Sequence, residues 1–190
     1  MESELERPLR IAIEFFENKG FGYAIIGGIA LSQHGVVRVT HDIDIKVLVP
    51  EARYAEVRES LKLAFPTNAH PDVPENPLIV SVVIEGIVVD FLLALPGYEE
   101  QIIARAVRRK IDRWEAWFCS AEDLIIQKIV AGRGKDISDV ELLLAEHRGQ
   151  LDEGYIQDWL SQFAEALERP ELAEVYSEIS GNVQRNSDRS

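Results

Sequence analysis

The chain has 190 residues, of which 46% are hydrophobic, and its formal net charge is −13. This length suffices for one well-buried core, or for one domain with a helical addition, and the composition is globular rather than disordered. So acidic a protein repels polyanions at long range, which excludes most of its surface as an unaided binding surface for nucleic acid.

The first third of the chain alternates stretches of helical periodicity with short strand-like runs. The run Tyr23–Ile26 is typical of a buried strand, and the segment from Asp42 alternates polar and apolar residues, as a strand with one buried face does. In chain order we expect a helix over 4–18, a strand over 23–26, a short helix over 29–33, a strand over 42–49 and a helix over 50–63.

Residues 66–77 contain four prolines and no periodicity, which predicts a loop long enough to be a flap or a rim. Beyond this loop, two β-branched runs meet at Glu85-Gly86 and predict a hairpin. Ser120 has an acid three residues later, which is typical of a helix N-cap, and Asp136 repeats that pattern. The remaining expected elements are a hairpin over 78–93, a helix over 97–107, a strand over 113–118 and helices from 120 to 180.

This order of elements predicts an α/β (α+β) fold, with a small mixed sheet flanked by helices and followed by a helical C-terminal part. We expect a core over residues 1–119 and a helical region over 120–180 packed on it. Residues 181–190 are polar and predict a flexible tail.

Two aspartates lie close together on the strand that begins at Asp42. Alternate residues of a strand point to the same face, so Asp42, Asp44 and Lys46 face away from the core that the intervening apolar residues build. Two carboxylates at this spacing repel each other, and a hard cation such as Mg²⁺ relieves the repulsion. The spacing alone favours the alternative, the solvated face of an edge strand, on which Asp and Lys are ordinary.

Asp90 lies within the apolar run Ile87–Leu93, where an ionised carboxylate is costly unless it is paired or metal-bound. If its strand lies beside the strand of Asp42 and Asp44, the three carboxylates form one cluster. Three carboxylates around two cations suit in-line nucleotidyl transfer. The alternative for Asp90 is a lone charge that faces solvent at the sheet edge.

The pair Gly27-Gly28 separates the first strand from the short helix. Bare backbone there lets phosphate oxygens approach, a helix N-terminus offers N–H groups, and Ser32 adds a hydroxyl. No GxGxxG motif follows this strand, and no Ser or Thr follows the lysine of Gly132–Lys135 as in a P-loop. The alternative for the glycine pair is a tight turn.

The pattern of strand, Gly-Gly, short helix, Asp-x-Asp and a later acid resembles that of the nucleotidyltransferase superfamily, whose fold DNA polymerase β shares. The resemblance implies that Asp42 and Asp44 bind the metals that carry the nucleotide, and that Asp90 helps to activate the acceptor hydroxyl. The implied cofactor is Mg²⁺ or Mn²⁺, and the implied substrate is an NTP.

A second stretch, residues 123–140, resembles a motif of the AbiEii-type toxin nucleotidyltransferases and their small relatives. That motif has Asp, then Lys on the same helix, then Arg and Asp-x-x-Asp after a short loop. It implies a phosphate contact for Lys128, for which the alternative is a surface lysine whose stem packs on the core. Asp123, Asp136 and Asp139 are more typical of helix caps than of catalysis.

Several other polar residues are candidates for substrate contacts. Arg38, just before the Asp-x-Asp strand, is a candidate for a triphosphate contact, whereas His34 and His41 are not spaced like a zinc site and are expected to be solvated or hydrogen-bonded. A group of cations contrasts with the acidic net charge and is a candidate RNA surface, although a solvated helix end is the favoured alternative. These cations are Arg105, Arg108, Arg109, Lys110 and Arg113, with Arg133 and Lys135.

These features predict a metal-dependent nucleotidyltransferase that moves NMP from an NTP to a hydroxyl of an RNA end, a protein or a small molecule. A toxin–antitoxin role, with an antitoxin partner, is compatible with the second motif. The alternative is a non-catalytic nucleotide-binding or antitoxin-type module on the same fold. The sequence has no apolar run of membrane-span length, no signal peptide and one cysteine, Cys119, so we expect a cytoplasmic protein without membrane contact.

Overall fold

The computed structural model describes residues 4–67 and 76–187, without the side chains of 186 and 187. The chain divides into two compact units: unit 1 comprises residues 1–30 and 38–119, and unit 2 comprises residues 31–37 and 120–190. The elements are α1 (Glu6–Lys19), β1 (Tyr23–Ile26), α2 (Gly27–Gln33), β2 (Asp42–Val47), a 3₁₀ turn (Pro50–Ala52), α3 (Tyr54–Ala64), β3 (Ile79–Ile84), β4 (Ile87–Leu93), α4 (Tyr98–Ala104), β5 (Val107–Ile111), β6 (Trp114–Phe118), α5 (Ala121–Ala131), α6 (Gly134–Glu146), α7 (Glu153–Ala166) and α8 (Glu171–Ser187).

Unit 1 contains a six-stranded mixed sheet with the strand order β3-β4-β2-β1-β6-β5. The central strand β2 pairs antiparallel with β1 and parallel with β4, and β1 pairs parallel with β6. The predicted hairpin forms β3 and β4, and its turn residues Glu85 and Gly86 both have positive φ, as a two-residue hairpin turn requires. This sheet, with its flanking helices and the helices that follow it, confirms the predicted fold class.

The hydrophobic core of unit 1 lies between α1 and one face of the sheet. Helix α1 buries one side, whose apolar residues recur every three to four positions. The rings of Phe16 and Phe91 on β4 form a T-shaped pair with centroids 5.2 Å apart. The ring of Phe16 also stacks on Tyr23 of β1, with centroids 5.6 Å apart. Ile43 and Ile45 of β2 are fully buried on the same face. The other face of β2, which carries Asp42 and Asp44, therefore points away from this core.

Strand β5 was not predicted from the sequence, which indicated a helix to residue 107 and a strand only from 113. In the structure α4 ends at Ala104, and Val107–Ile111 pairs antiparallel with β6. The sequence did not indicate this strand because the stretch consists largely of cations and does not alternate polar and apolar residues. Its hydrogen-bonded pairing with β6 at the edge of the sheet makes it a strand. Arg108, Arg109 and Lys110 therefore lie on an edge strand, where the expected solvated helix end is wrong, whereas Arg105 takes the C-cap position of α4.

The starts of two helices also differ from the prediction. Helix α2 begins at Gly27 rather than Ile29, so the glycine pair forms its first turn. Helix α6 begins at Gly134 with Arg133 in the N-cap position, so Asp136 lies in the first turn and is not the cap. By contrast, Ser120 caps α5 as predicted, and its Oγ accepts a hydrogen bond from the backbone N–H of Asp123.

Unit 2 is helical, and its core is built by α5 to α8, which bury residues such as Ile125, Leu143, Ile156 and Tyr176. Helix α8 continues to Ser187, past the predicted end at residue 180. Of the predicted loop over 66–77, residues 68–75 lie outside the described part of the chain. Within the described part, no helix has the length and apolar character needed to cross a membrane.

The buried phenol of Tyr176 predicts how stability changes at alkaline pH. Burial, with Glu153 and Glu122 nearby, raises the pKa of Tyr176 from 10.0 to about 12. Only the unfolded chain then ionises this phenol between pH 10 and pH 12, so stability falls as the pH rises through that range. We expect Tyr176→Phe to reduce this loss, measured by urea unfolding at pH 7 and pH 11.

At pH 7, Tyr176→Phe should leave the free energy of unfolding unchanged or higher, because the hydroxyl finds no hydrogen-bond partner among the described residues. Tyr155→Phe is the matched control. Its hydroxyl donates to Asp123 Oδ1 at 2.8 Å, so its removal should destabilise the protein by about 1–3 kcal/mol. A Tyr176→Phe variant that is destabilised as much as the control would contradict this assignment.

Candidate active site

The three predicted aspartates lie on one face of the sheet in unit 1. Asp44 on β2 is the register partner of Asp90 on β4, and Ser81 on β3 is opposite Asp90. Register partners on neighbouring strands point to the same face, and so do residues two apart on one strand. Asp42 therefore shares this face with Asp44 and Asp90, and the strand of Asp90 lies directly beside the strand of the other two aspartates.

This face is open at one end and covered at the other. Asp42 is exposed, Asp44 is half-buried, and Lys46 at the far end is only 5% exposed. Helix α4 covers that end, and Nζ of Lys46 forms an ion pair with Oε1 of Glu99 at 2.5 Å. Lys46 thus lies on the face opposite the apolar residues of β2, as predicted, whereas the alternative of a solvated strand face is wrong for this residue. Its charge is neutralised by Glu99, whereas the aspartates lie at the open end.

Gly27 lies directly beside the carboxylate of Asp44. Its φ of +65° falls in the left-handed region, which favours glycine. A Cβ at this position would lie 2.2 Å from Oδ2 of Asp44, far inside van der Waals contact. Glycine is therefore favoured at position 27 for two reasons, the backbone conformation and the space that the Asp44 carboxylate occupies.

Gly28 makes room for a residue that the sequence analysis missed. A Cβ on Gly28 would lie 2.6 Å from Oγ1 of Thr40 and 2.7 Å from its Cβ. The hydroxyl of Thr40 in turn donates a hydrogen bond to Oδ1 of Asp42 at 2.8 Å. The sequence could have indicated Thr40 only as a hydroxyl residue two positions before Asp42. Such a spacing is common and does not by itself identify a contact.

The side chains on this face fit a divalent cation that arrives with a nucleotide. Mg²⁺ prefers oxygen ligands and is usually held by one or two carboxylates together with substrate phosphates. Asp42, Asp44 and Asp90 offer carboxylates on this face, and that of Asp44 lies beside the bare backbone of Gly27. Across residues 4–67 and 76–187, no group of three or more His, Cys, Asp or Glu side chains could hold a metal ion by itself.

The remaining predicted nucleotide contacts lie on other segments. Ser32 is exposed near the end of α2, and Arg38 is half-buried in the segment that leads to β2. His41 is exposed, whereas His34 is buried, and its backbone oxygen accepts a hydrogen bond from Nε2 of His147 at 3.0 Å. Phosphate contacts of Ser32 and Arg38 remain predictions.

Lys128 lies in a buried charge cluster within unit 2. Its Nζ is 2.6 Å from Oδ2 of Asp139 and 3.4 Å from Oδ1 of Asp136, and the three side chains are at most 8% exposed. Arg133 holds Asp136 from the other side, with Nε 2.5 Å from Oδ2. The alternative of a surface lysine is therefore wrong, and Asp139 acts as an ion-pair partner. The phosphate contact of Lys128 remains a prediction.

The ion pairs around Asp136 decide its ionisation. Burial alone would raise the pKa of Asp136, but the hydrogen bond and charge of Arg133 and the charge of Lys128 outweigh burial and hold the pKa below its usual value. Because the pKa of Asp136 is lower in the folded protein than in the unfolded chain, its ionised carboxylate stabilises the fold. This stabilisation is fully present above the ordinary pKa of 3.8 and is lost as the pH falls through the lower, folded-state pKa.

The predicted basic surface is partly neutralised within its own hairpin. Nε of Arg108 lies 3.0 Å from Oε2 of Glu115, and its guanidinium lies 5.8 Å from the ring centre of Trp117. Arg109 and Lys110 on the same strand are exposed. RNA binding by this surface remains a prediction.

A family model described as "Nucleotidyl transferase of unknown function (DUF2204)" matches residues 6–174. The chain belongs to this family. The membership confirms the predicted nucleotidyltransferase class, whereas the closer likeness to AbiEii-type toxins stays a prediction. Curated proteins give no significant sequence match.

Solved structures of nucleotidyltransferases share the fold. The antibiotic-resistance factor ANT(2″)-Ia in solution has a TM-score of 0.59 and 18% identity, over 90% of this chain and 98% of that chain. The crystal structure of ANT(2″)-Ia with adenylyl-2″-tobramycin has a TM-score of 0.52 and 18% identity, over 83% of this chain and 99% of that chain. An antigenic nucleotidyltransferase-like protein from Paracoccidioides brasiliensis has a TM-score of 0.54 and 18% identity, over 93% of this chain and 94% of that chain. At these identities the similarity shows the fold alone.

The close approach of Gly27 to Asp44 predicts that Gly27→Ala displaces the carboxylate. Gly20→Ala is the matched control, because Gly20 also has a positive φ, +69°, but has nothing within 4 Å of its missing Cβ. Both variants should lose about 1–2 kcal/mol through backbone strain. Only Gly27→Ala should also weaken Mg²⁺-dependent ATP binding, by about tenfold or more, measured by calorimetry. Equal ATP affinities of the two variants would contradict the assigned role of Gly27.

The buried cluster in unit 2 predicts a large stability loss for Lys128→Met. Without the ammonium group, the buried carboxylates of Asp136 and Asp139 lose the cation they share, and breaking such a buried ion pair costs about 3–5 kcal/mol. Urea unfolding at pH 7 measures the loss, and Lys135→Met, at an exposed lysine on α6, is the control. The double variant Lys128→Met/Asp139→Asn should recover part of the loss. If Lys128→Met is no less stable than Lys135→Met, the buried ion pair is not a stabilising element.

Proposed function

We propose that this chain is a metal-dependent nucleotidyltransferase that moves NMP from an NTP to a hydroxyl group of an acceptor. The family membership supports nucleotidyl transfer in general. The observation that carries the finer proposal is the open face of unit 1, which Asp42, Asp44 and Asp90 share and on which the carboxylate of Asp44 lies against the bare backbone of Gly27.

In this proposal the two residues of the Asp-x-Asp pair hold the cations that accompany the triphosphate. When bound, the divalent cation neutralises the phosphates and the charge that develops during transfer. Gly27 and Gly28 leave the backbone at the start of α2 open to phosphate oxygens. Ser32, Arg38 and Lys128 are the further candidates for phosphate contacts.

The chemical step forms one bond and breaks another at the α-phosphorus. The acceptor oxygen attacks this phosphorus, and its proton passes to the carboxylate of Asp90, which acts as general base. The bond to the oxygen that bridges the α- and β-phosphorus then breaks, and pyrophosphate leaves with the electron pair. The chain contributes mostly position and charge, which are the main sources of rate in phosphoryl transfer.

The acceptor in this proposal is an RNA end, a protein side chain or a small molecule. ANT(2″)-Ia, which shares the fold, has been crystallised with an adenylylated small molecule, while residues 123–140 resemble a toxin motif. A toxin–antitoxin role with an antitoxin partner therefore belongs to the proposal as one setting for the same reaction.

The test is transfer of label from each α-³²P-labelled NTP, with Mg²⁺ or Mn²⁺, to a total extract of RNA, protein and small molecules. We expect one acceptor class to become labelled. Asp44→Asn should reduce transfer by more than about 100-fold, the upper range for groups that merely orient a metal ligand. Asp112→Asn is the control, because Asp112 is an exposed aspartate of the β5–β6 turn in the same unit.

Two results would overturn the proposal in different ways. Wild-type protein that binds no NTP in the presence of either cation would remove the nucleotide-binding role. Protein that binds Mg²⁺-NTP but labels no acceptor would instead be the nucleotide-binding module that the sequence also allowed.

A further inference from the structure

We propose that Thr40 is a positioning residue that fixes the carboxylate of Asp42 for a divalent cation. This inference rests on the proposed function, because it is the proposed function that makes Asp42 a metal ligand. It adds a residue outside the Gly-Gly and Asp-x-Asp motifs, and it gives Gly28 a second role.

The first step of the argument is that Gly28 determines where Thr40 lies. The missing Cβ of Gly28 would lie 2.6 Å from Oγ1 and 2.7 Å from Cβ of Thr40. Thr40 thus packs against the bare backbone at the start of α2, in space that any larger residue at position 28 would take. The β-branched side chain has few rotamers, so this contact also restricts the direction of its hydroxyl.

The second step is the direction in which that hydroxyl donates. Oγ1 of Thr40 lies 2.8 Å from Oδ1 of Asp42 and 3.4 Å from the backbone oxygen of the same residue. A hydroxyl carries a single proton, and a separation of 2.8 Å is typical of a strong O–H···O bond, whereas 3.4 Å is long. The proton is therefore donated mainly to the carboxylate.

The third step is what this bond does to Asp42. Asp42 is exposed at the first position of β2, and within residues 4–67 and 76–187 Thr40 is the one side chain that donates to its carboxylate. An exposed carboxylate otherwise samples several rotamers, and fixing it on metal binding costs conformational entropy. With Oδ1 bound to Thr40, Oδ2 stays available to a cation.

Partners that orient a metal ligand in this way typically contribute 10–100-fold to metal affinity. Asp44 is oriented differently, since the backbone of Gly27 lies against its carboxylate. The two glycines therefore serve the two aspartates, Gly27 by direct contact and Gly28 through Thr40.

The experiment measures Mn²⁺ binding to the full chain with saturating ATP, from the electron paramagnetic resonance signal of free Mn²⁺. Thr40→Val keeps the shape of the side chain and removes the hydroxyl, and we expect it to weaken Mn²⁺ binding by about tenfold. Thr40→Ser, which keeps the hydroxyl, should recover most of that loss. Thr67→Val is the matched control, because Thr67 is an exposed threonine at an isolated bridge to Val82 on β3.

Thermal unfolding without metal separates positioning from a general structural role. Thr40→Val should unfold within about 1 °C to 2 °C of the wild type, since loss of one exposed hydrogen bond changes stability little. Equal Mn²⁺ affinities for Thr40→Val and the wild type would overturn the inference and leave the proposed function intact. Loss of affinity in Thr40→Val and Thr40→Ser alike would overturn it too, by assigning the effect to packing. Wild-type protein that binds Mn²⁺ with none of the four NTPs would overturn both proposals together.

Discussion

The contact between the backbone of Gly27 and the carboxylate of Asp44 is the constraint on which the candidate site depends. Strand β1 ends at Ile26, opposite Asp44, so the chain must turn away into α2 beside an acidic side chain. Only a residue without Cβ can do so in a left-handed conformation without moving that carboxylate. The glycine pair and the Asp-x-Asp pair are therefore parts of one local arrangement, although they are separated along the sequence.

The acidic residues discussed above differ between the two units in their ion pairing. In unit 2 the buried carboxylates of Asp136 and Asp139 are neutralised by Lys128 and Arg133, which makes that cluster self-sufficient. In unit 1 the nearest lysine on the strand of the aspartates, Lys46, is already paired with Glu99. Asp42 is exposed at the open end of that face, where a cation from solution can approach it.

Local patterns predicted the parts of the site that lie on one strand or one turn. Alternation placed Asp42 and Asp44 on one face, and the apolar surroundings of Asp90 indicated a carboxylate that needs a partner or a metal. That its strand lies beside theirs was left open by the sequence and is given by the register of β2 and β4. Properties set by distant residues could not be read in this way. Lys46 is buried because α4 covers it. Thr40, whose hydroxyl donates to Asp42, packs against Gly28, which is distant along the sequence. Strand β5 exists through its pairing with β6, which outweighs its unfavourable composition.

The two edges of the sheet have different exposure. Along β3, the backbone N–H of Val83 donates to the carbonyl of Pro66, and Arg58 donates to the carbonyl of Ile79, so this edge is partly occupied by the chain itself. Along β5, Arg108, Arg109 and Lys110 line the edge instead. Two copies that met edge to edge would bring these cations together, and their repulsion opposes such pairing. The basic strand in an otherwise acidic protein therefore disfavours pairing of two copies through their β5 edges.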